Sequence, residues 1–172
     1  PLLEATGTGY LKVTYVEGYD EFAAYDSTAL KFYDRASGKL DREMPVEAGI
    51  SKAVGGRRSF MTSLPDHRIV VWPAVPDGKG LVLNGHEGKV VEMAYSDDES
   101  HMASVDSTGL AIIWELESGT EVQRFHVEVS QSVPSATLAF FPGGRTLACN
   151  GKSREISFWS VKTGEQIHSL HV

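Results

Sequence analysis

The chain has little cysteine and no long apolar run. Cys149 is the single cysteine among 172 residues, so no intramolecular disulfide is possible and a reducing compartment is permitted. It lies in the apolar run Leu-Ala-Cys, which favours a buried thiol over a nucleophile. No apolar run approaches the roughly 18 residues that cross a bilayer as a helix. The sequence therefore predicts no membrane span.

Basic residues are also few. The chain has 16 Lys and Arg against 23 Asp and Glu, which gives a formal net charge of −7. Phosphate contacts need clustered basic side chains, so this balance predicts no nucleic-acid partner. Hydrophobic residues make up 41% and charged residues 23% of the chain, which is typical of a folded globular protein.

Motifs of catalysis and metal binding are missing. The sequence contains no His-Glu-x-x-His, Cys-x-x-Cys or Gly-x-Ser-x-Gly. Gly7-Thr8-Gly9 lacks the third glycine of a nucleotide-binding loop. His168 and His171 are three apart on a predicted strand, so they point to opposite faces and cannot chelate one ion. We therefore expect no cofactor, no metal and no enzymatic activity.

An internal repeat dominates the sequence. Trp72, Trp114 and Trp159 are spaced 42 and 45 residues apart, and Tyr33 precedes Trp72 by 39. Each aromatic ends a short run that alternates between apolar and polar residues, which predicts a strand. A glycine follows each aromatic after five or six residues and predicts a hairpin turn.

Each repeat is predicted to contain four strands. In the third repeat we expect them at 89–95, 101–105, 110–114 and 121–126. The four repeats are predicted to span residues 10–44, 45–84, 85–127 and 128–172 of a single all-β domain. No helical pattern of useful length is present.

The repeats resemble the WD-repeat family over roughly residues 10–172. The third has Gly85-His86 and Trp114-Glu115, where the family usually has Trp-Asp, and the fourth has the family's Phe-x-Pro-x-Gly turn at 140–144. The resemblance implies β-propeller blades of four antiparallel strands. It implies about four blades, or half of a ring of seven or eight.

Blades of this family are often tied by a His–Ser/Thr–Asp–Trp hydrogen-bond chain, with the Asp six residues before the Trp. That position holds Thr108 in the third repeat, Asp66 in the second, and Ser27 and Ser153 in the first and fourth. We therefore expect no complete chain in any repeat. Six residues are expected to have a structural role. The aromatic anchors of the four repeats are Tyr33, Trp72, Trp114 and Trp159, and the hydrogen-bond partners in the third repeat are His86 and Ser104.

The resemblance implies a protein-interaction scaffold that binds other proteins through its loops. By resemblance, the binding face is formed by the connections between second and third strands and between successive blades. The candidates on it are Tyr25, Asp26, Asp66, His67, Glu87, Lys89, Ser107, Thr108, Lys152 and Arg154. The alternatives are a structural or targeting domain of a larger multidomain protein, or a ligand-binding or hydrolytic propeller.

Four blades of a larger ring leave two apolar sheet faces uncovered. Further blades of the same parent chain, a homodimer that completes an eight-bladed ring, or tighter closure of four blades would cover them. The absence of an initiator Met favours the first. We expect a cytoplasmic location.

Overall fold

The computed structural model describes residues 12–16, 21–25, 29–45, 49–73, 79–129, 136–150 and 155–171. Its secondary structure consists of sixteen strands in four four-stranded sheets, which confirms the predicted all-β class. The chain divides into two compact units, 1–81 and 82–172, and each is described by itself. No part of the described residues forms a helix that could cross a membrane.

The strands of the first unit follow chain order within each sheet. The first sheet contains β1 (Lys12–Val16), β2 (Glu21–Tyr25), β3 (Ala29–Asp34) and β4 (Leu40–Pro45). The second sheet contains β5 (Lys52–Gly55), β6 (Ser59–Ser63), β7 (Ile69–Pro73) and β8 (Leu81–Leu83), and the boundary between the units falls within β8.

The second unit repeats this arrangement. The third sheet contains β9 (Val90–Tyr95), β10 (His101–Asp106), β11 (Leu110–Glu115) and β12 (Thr120–His126). The fourth sheet contains β13 (Thr137–Phe140), β14 (Thr146–Asn150), β15 (Glu155–Ser160) and β16 (Gln166–His171). The strands predicted for the third repeat differ from β9–β12 by at most one residue at either end. The boundaries 10–44, 45–84, 85–127 and 128–172 of one domain stay a prediction.

One turn recurs after the aromatic strand in three sheets. The amides of Gly38, Gly119 and Gly164 donate to the carbonyls of Asp34, Glu115 and Ser160 at 2.9, 2.9 and 2.8 Å. All three glycines have φ between 66° and 70°, where a Cβ is strained, so the glycine spacing in the sequence reflects this turn. The pairing shifts by one residue directly beside each turn.

The core of each unit lies between facing sheets. In the first unit, Phe32 of the first sheet contacts Phe60 of the second with ring centroids 5.1 Å apart. In the second unit, Ala103, Ala111 and Ile113 share one buried cluster with residues of the fourth sheet. Those residues are Leu138, Leu147 and Cys149. Burial of these apolar side chains is the main stabilising term in each unit.

The opposite face of the fourth sheet is much more accessible. One row crosses it from Ala139 through Ala148 and Phe158 to His168. Phe141 packs edge-on against Phe158 with 45% of its surface exposed. No residue of β15 is fully buried, whereas five of the six in β11 are. The fourth sheet therefore presents an apolar face to solvent in this structure.

Candidate interaction site on the third sheet

A hydrogen-bond chain crosses the third sheet from its anchoring tryptophan. The Trp114 indole N–H donates to Ser104 Oγ at 2.9 Å. Ser104 Oγ lies 2.6 Å from His86 Nε2, and His86 Nδ1 lies 3.1 Å from Asp106 Oδ2. If each hydrogen is used once, Ser104 donates to Nε2 and Nδ1–H donates to the carboxylate. This assignment corresponds to a neutral ring with its proton on Nδ1.

Asp106 is the centre of this arrangement. Its side chain is fully buried, yet its two oxygens accept six hydrogen bonds. Oδ2 accepts from His86 and from the amides of Glu87 and Gly88, at 3.0 to 3.2 Å. Oδ1 accepts from the Thr108 hydroxyl and from the amides of Thr108 and Leu110, at 2.6 to 3.1 Å. A buried carboxylate is tolerated only with such full compensation.

The expectation that no repeat contains a complete chain is wrong for the third. The spacing of the family places the aspartate at position 108, where this chain has a threonine. Asp106, two residues earlier, supplies the carboxylate that bonds to His86. Ser104 and Asp106 are two apart on β10, so both side chains point to the same face of the sheet and reach the same imidazole. The Thr108 hydroxyl supports the carboxylate at 2.6 Å.

The hydrogen bonds also set the charge of Asp106. Burial acts to raise the pKa of its carboxyl, but the Thr108, Gly88 and His86 hydrogen bonds outweigh burial and hold the pKa below the ordinary 3.8. Asp106 is therefore ionised at neutral pH, where the charge strengthens every hydrogen bond that it accepts.

Asp106 fastens two connections of the chain to each other. Residues 84–89 lead into β9, and residues 107–109 join β10 to β11. The Ser107 amide donates to the Lys89 carbonyl at 2.8 Å. A Cβ on Gly88 would lie 2.7 Å from Ser107 Oγ, so the two connections touch closely. We call Glu87, Lys89, Ser107 and Thr108 the paired-loop surface.

Four predicted binding residues are therefore brought together. Glu87, Lys89 and Thr108 are exposed, and Ser107 is half-buried. In the first unit, Asp66 and His67 lie in the turn between β6 and β7, where Asp66 is exposed and accepts from Arg68 Nε at 2.7 Å. The predicted residues Asp26, Lys152 and Arg154 lie outside the described residues.

The prediction that Tyr25 is a binding residue is wrong. Tyr25 was predicted to be a loop residue available to partners, but it ends β2 with 5% of its surface exposed. Its hydroxyl accepts a hydrogen bond from the Ala53 amide at 2.9 Å, which ties the first sheet to the second. Burial raises the pKa of this phenol, and the Ala53 hydrogen bond opposes that effect. Tyr25 is thus part of the core.

The other anchoring aromatics use different partners. The Trp72 indole N–H donates to Thr62 Oγ1 at 2.9 Å, ten residues earlier, as Trp114 does to Ser104. Ten residues before Trp159 stands Cys149, and the Trp159 N–H instead donates to Ser157 at 2.9 Å. Tyr33 stacks on Phe22 with centroids 5.2 Å apart. Alternation along the strands places Thr62 and Ser157 on the same sheet faces as Trp72 and Trp159. The spacing of the family did not identify these two residues as hydrogen-bond partners.

The described residues contain neither a cluster of metal ligands nor a reactive thiol. No group of three His, Cys, Asp or Glu side chains lies there in an arrangement that could hold a metal ion. Cys149 has 1% of its surface exposed, and burial raises the pKa of its thiol to about 12. A thiol held in the protonated form is a poor nucleophile.

Comparison with known proteins shows what this chain is similar to. No protein-family model matches the chain. It is 30% identical to a guanine nucleotide-binding protein subunit beta of Lymnaea stagnalis, over 48% of this chain and 24% of that protein. It is 24% identical to a WD repeat-containing protein 26 homolog of Arabidopsis thaliana, over 55% of this chain and 16% of that protein.

A solved structure matches almost the whole chain. A chain of the mitotic checkpoint complex superimposes with a TM-score of 0.83 and 18% identity, over 98% of this chain and 55% of that one. The four-stranded antiparallel sheets of the present chain have the fold of β-propeller blades, and the chain is similar to WD-repeat proteins. It spans about half of the checkpoint-complex chain and a quarter or less of the two curated relatives.

We predict that Asp106→Asn destabilises the third blade by about 2 to 3 kcal/mol, because an amide cannot replace both charged acceptor oxygens. The folded-state pKa of Asp106 is lowered, so its contribution is present above about pH 4 and is lost as the pH falls through the folded-state pKa. Urea unfolding between about pH 2 and pH 7 should show a smaller pH dependence in D106N than in the wild type.

Asp98→Asn is the matched control, since Asp98 also accepts three serine hydrogen bonds but lies in an exposed turn of the same blade. Its effect should be much smaller. Equal destabilisation by D98N and D106N would show that Asp106 has no special structural role.

Proposed function

We propose that this chain is a non-catalytic scaffold that presents the paired-loop surface to partner proteins. The observation that carries the proposal is the buried Asp106 carboxylate, which fixes two connections with six hydrogen bonds. A preorganised surface loses less conformational entropy when it binds a partner. The exposed side chains of Glu87 and Lys89 are then held in position, although neither side chain bonds to Asp106.

The charges of the paired-loop surface suit protein recognition. Glu87 and Lys89 are both exposed and of opposite sign, one on each side of the buried Gly88. Such a mixed pattern selects a partner by the order of its charges more than by its net charge. The names of the similar proteins agree with this proposal, because one is a subunit and another belongs to a complex.

Charge reversal tests this surface. Glu87→Lys and Lys89→Glu should each remove the same specific partners from an affinity capture with the full-length protein, quantified by mass spectrometry, because each places like charges opposite the partner's. Both side chains are exposed, so thermal unfolding should be nearly unchanged.

The matched control is Glu117→Lys, an exposed glutamate in the turn at the opposite end of the third blade. It should leave the captured set intact. If all three variants capture the wild-type set, the paired-loop surface is not the binding site. Turnover of substrate by the purified chain would contradict the non-catalytic part of the proposal.

We also infer that another four-stranded blade covers the apolar face of the fourth blade that contains Ala139 and Phe158. The same polypeptide supplies it, or a second copy does so by completing a ring of eight blades. The supporting observation is the contrast between the buried β11 and the half-exposed β15. Both strands occupy the third position of their blades, and an uncovered sheet face leaves such a strand accessible.

Dye binding tests this face. The isolated chain should bind a hydrophobic fluorescent dye, and Ala139→Arg should lower the fluorescence, because the arginine crosses the row from Ala139 to His168. Val122→Arg, on the exposed part of β12, is the control and should leave most of the signal. Equal loss in both variants would show that the dye reports general surface hydrophobicity.

A further inference from the structure

Within the second unit, the third blade contacts the fourth through one row of paired residues. The row crosses the sheet from Ala94 through Ala103 and Ile113 to Gln123. Its three apolar members pack in one cluster with side chains of the fourth blade. Gln123 Nε2 donates to the Lys162 carbonyl, in the turn after β15, at 2.8 Å. We call the row that contains the residue before the anchoring aromatic the contact row of a blade.

The first unit uses its contact row in the same way. That row contains Thr14, Ala23, Phe32 and Arg42. Thr14 Oγ1 accepts a hydrogen bond from the Gly55 amide of the second blade at 2.9 Å. Phe32 packs against Phe60 of the second blade in one buried cluster. In both units, therefore, the contact row of one blade touches the blade that follows it along the chain.

The covered side of the following blade is its anchor row, by which we mean the row that contains the anchoring aromatic. Phe60 pairs with Trp72 in the second blade, and Leu147 pairs with Trp159 in the fourth. Phe60 and Leu147 have 1% and 0% of their surface exposed. Each of them belongs to the cluster that the preceding blade's contact row joins. A contact row thus packs on an anchor row in each unit.

The described residues also contain one accessible row of each kind. The contact row of the fourth blade runs from Ala139 to His168, and the residues at both of its ends are exposed. In the anchor row of the first blade, Phe22 pairs with Tyr33, and both are half-buried. Phe60, the counterpart of Phe22 in the second blade, is fully buried. The two accessible rows are of the kinds that pack together within each unit.

We propose that the first blade of a second copy of this chain covers the open face of the fourth blade, and that each copy covers the other in this way. Phe158 of one copy then meets Phe22 of the other. Phe32 and Phe60 make the corresponding contact within the first unit, with ring centroids 5.1 Å apart. This inference rests on the covering blade proposed above and names its source.

The correspondence between these phenylalanines follows from the strand register. Phe158 and Phe32 each precede the anchoring aromatic of their blade. Phe22 and Phe60 each pair with the anchoring aromatic from the neighbouring strand. The contact between two copies would therefore repeat an aromatic pair that the chain already makes between two of its own blades, and such pairs stabilise a packed interface beyond their buried area.

His168 supplies the polar part of the contact. It holds the place of Gln123, because each pairs with the residue before the anchoring tryptophan. Its ring N–H would then donate to the Ala36 carbonyl of the second copy, as Gln123 donates to Lys162. Ala36 and Lys162 occupy the same position in the recurrent turn, two residues before its glycine, and the two turns close with the same backbone hydrogen bond.

Leu170 adds an apolar contact from the outer strand. It pairs with Ile156, two residues before Phe158, so it lies on the open face. Phe125 holds this place in the third blade and stacks on Trp159 of the fourth with centroids 4.1 Å apart. The anchoring tyrosine of the second copy's first blade would receive Leu170 in the same way, which accounts for an apolar side chain with 50% of its surface exposed.

The second copy suits the open face because its first blade offers a partner for each of these three side chains. Mutual covering also removes both accessible rows of both copies from solvent, so the assembly closes at two chains. A blade from another source would cover the fourth blade and leave the row of Phe22 and Tyr33 accessible.

Sedimentation equilibrium of the full chain tests the contact, over about 1 µM to about 1 mM. The mass of the wild-type chain should rise from one chain to two. Ala139→Arg and Phe22→Arg should each remain monomeric, because each places an unpaired charge in the contact. An equimolar mixture of the two variants should form dimers again, because F22R keeps an intact fourth blade and A139R keeps an intact first blade.

Substitutions of His168 test the polar contact. His168→Leu should raise the dissociation constant by about five- to a hundredfold, because the closed pair loses two hydrogen bonds. His168→Gln should dimerise as the wild type does, because it restores the side chain that the third blade uses in this place. An unchanged dissociation constant in H168L overturns the assignment of His168.

Val122→Arg, on the outer strand of the third blade, is the control and should dimerise as the wild type does. Circular dichroism checks that each variant is folded. If F22R is unfolded, Phe22→Ser replaces it, because serine removes the ring without adding a charge, and it should weaken the dimer.

Three results would overturn the second copy as the source of the covering blade. One is a wild type that stays monomeric at about 1 mM. If its dye fluorescence still falls in A139R, the proposed covering blade stands and the same polypeptide supplies it. Another is a dimer that is lost in A139R but kept in the folded Phe22 variants, since two fourth blades would then pair with each other. The third is a mixture of A139R and F22R that contains single chains only.

Discussion

The buried carboxylate of Asp106 is the interaction on which the organisation of the third blade depends. It connects the anchoring Trp114, through Ser104 and His86, to the two loops at one end of the sheet. A buried charge is unfavourable unless donors surround it, so the loops must take the conformation that supplies their amides. The same requirement that satisfies the charge therefore shapes the surface that we assign to partner binding.

The other blades show what happens without this carboxylate. Trp72 and Trp159 still place their indole N–H groups on a hydroxyl, from Thr62 and Ser157. In neither of these blades does a described histidine and aspartate pair extend that bond to the loops. Their anchors are fixed, while the described Asp66–His67 turn of the second blade is held by its own local contact with Arg68. The third blade therefore differs from the second and the fourth, because a buried carboxylate holds its two loops together.

Most of the fold could be predicted from the sequence, because the anchoring aromatics and their following glycines recur at nearly constant spacing. Asp106 was missed because a family spacing directed attention to Thr108, although strand alternation from Ser104 marks Asp106 as facing the same side. Tyr25 could not be predicted correctly, since its burial depends on packing against residues of another sheet, where its hydroxyl accepts from the Ala53 amide. The repeat also predicts the strand order that places β16 at the edge of the fourth sheet. It does not predict how much of each side chain of β16 is exposed.

The protonation of His86 tests the role of the buried carboxylate most directly. Nitrogen chemical shifts of the imidazole at neutral pH report which ring nitrogen carries the proton. We expect a neutral ring with Nδ1 protonated towards Asp106 and Nε2 accepting from Ser104. A ring protonated on Nε2 alone would leave no donor for Asp106 from the imidazole, and it would contradict the hydrogen-bond chain that links the tryptophan to the loops.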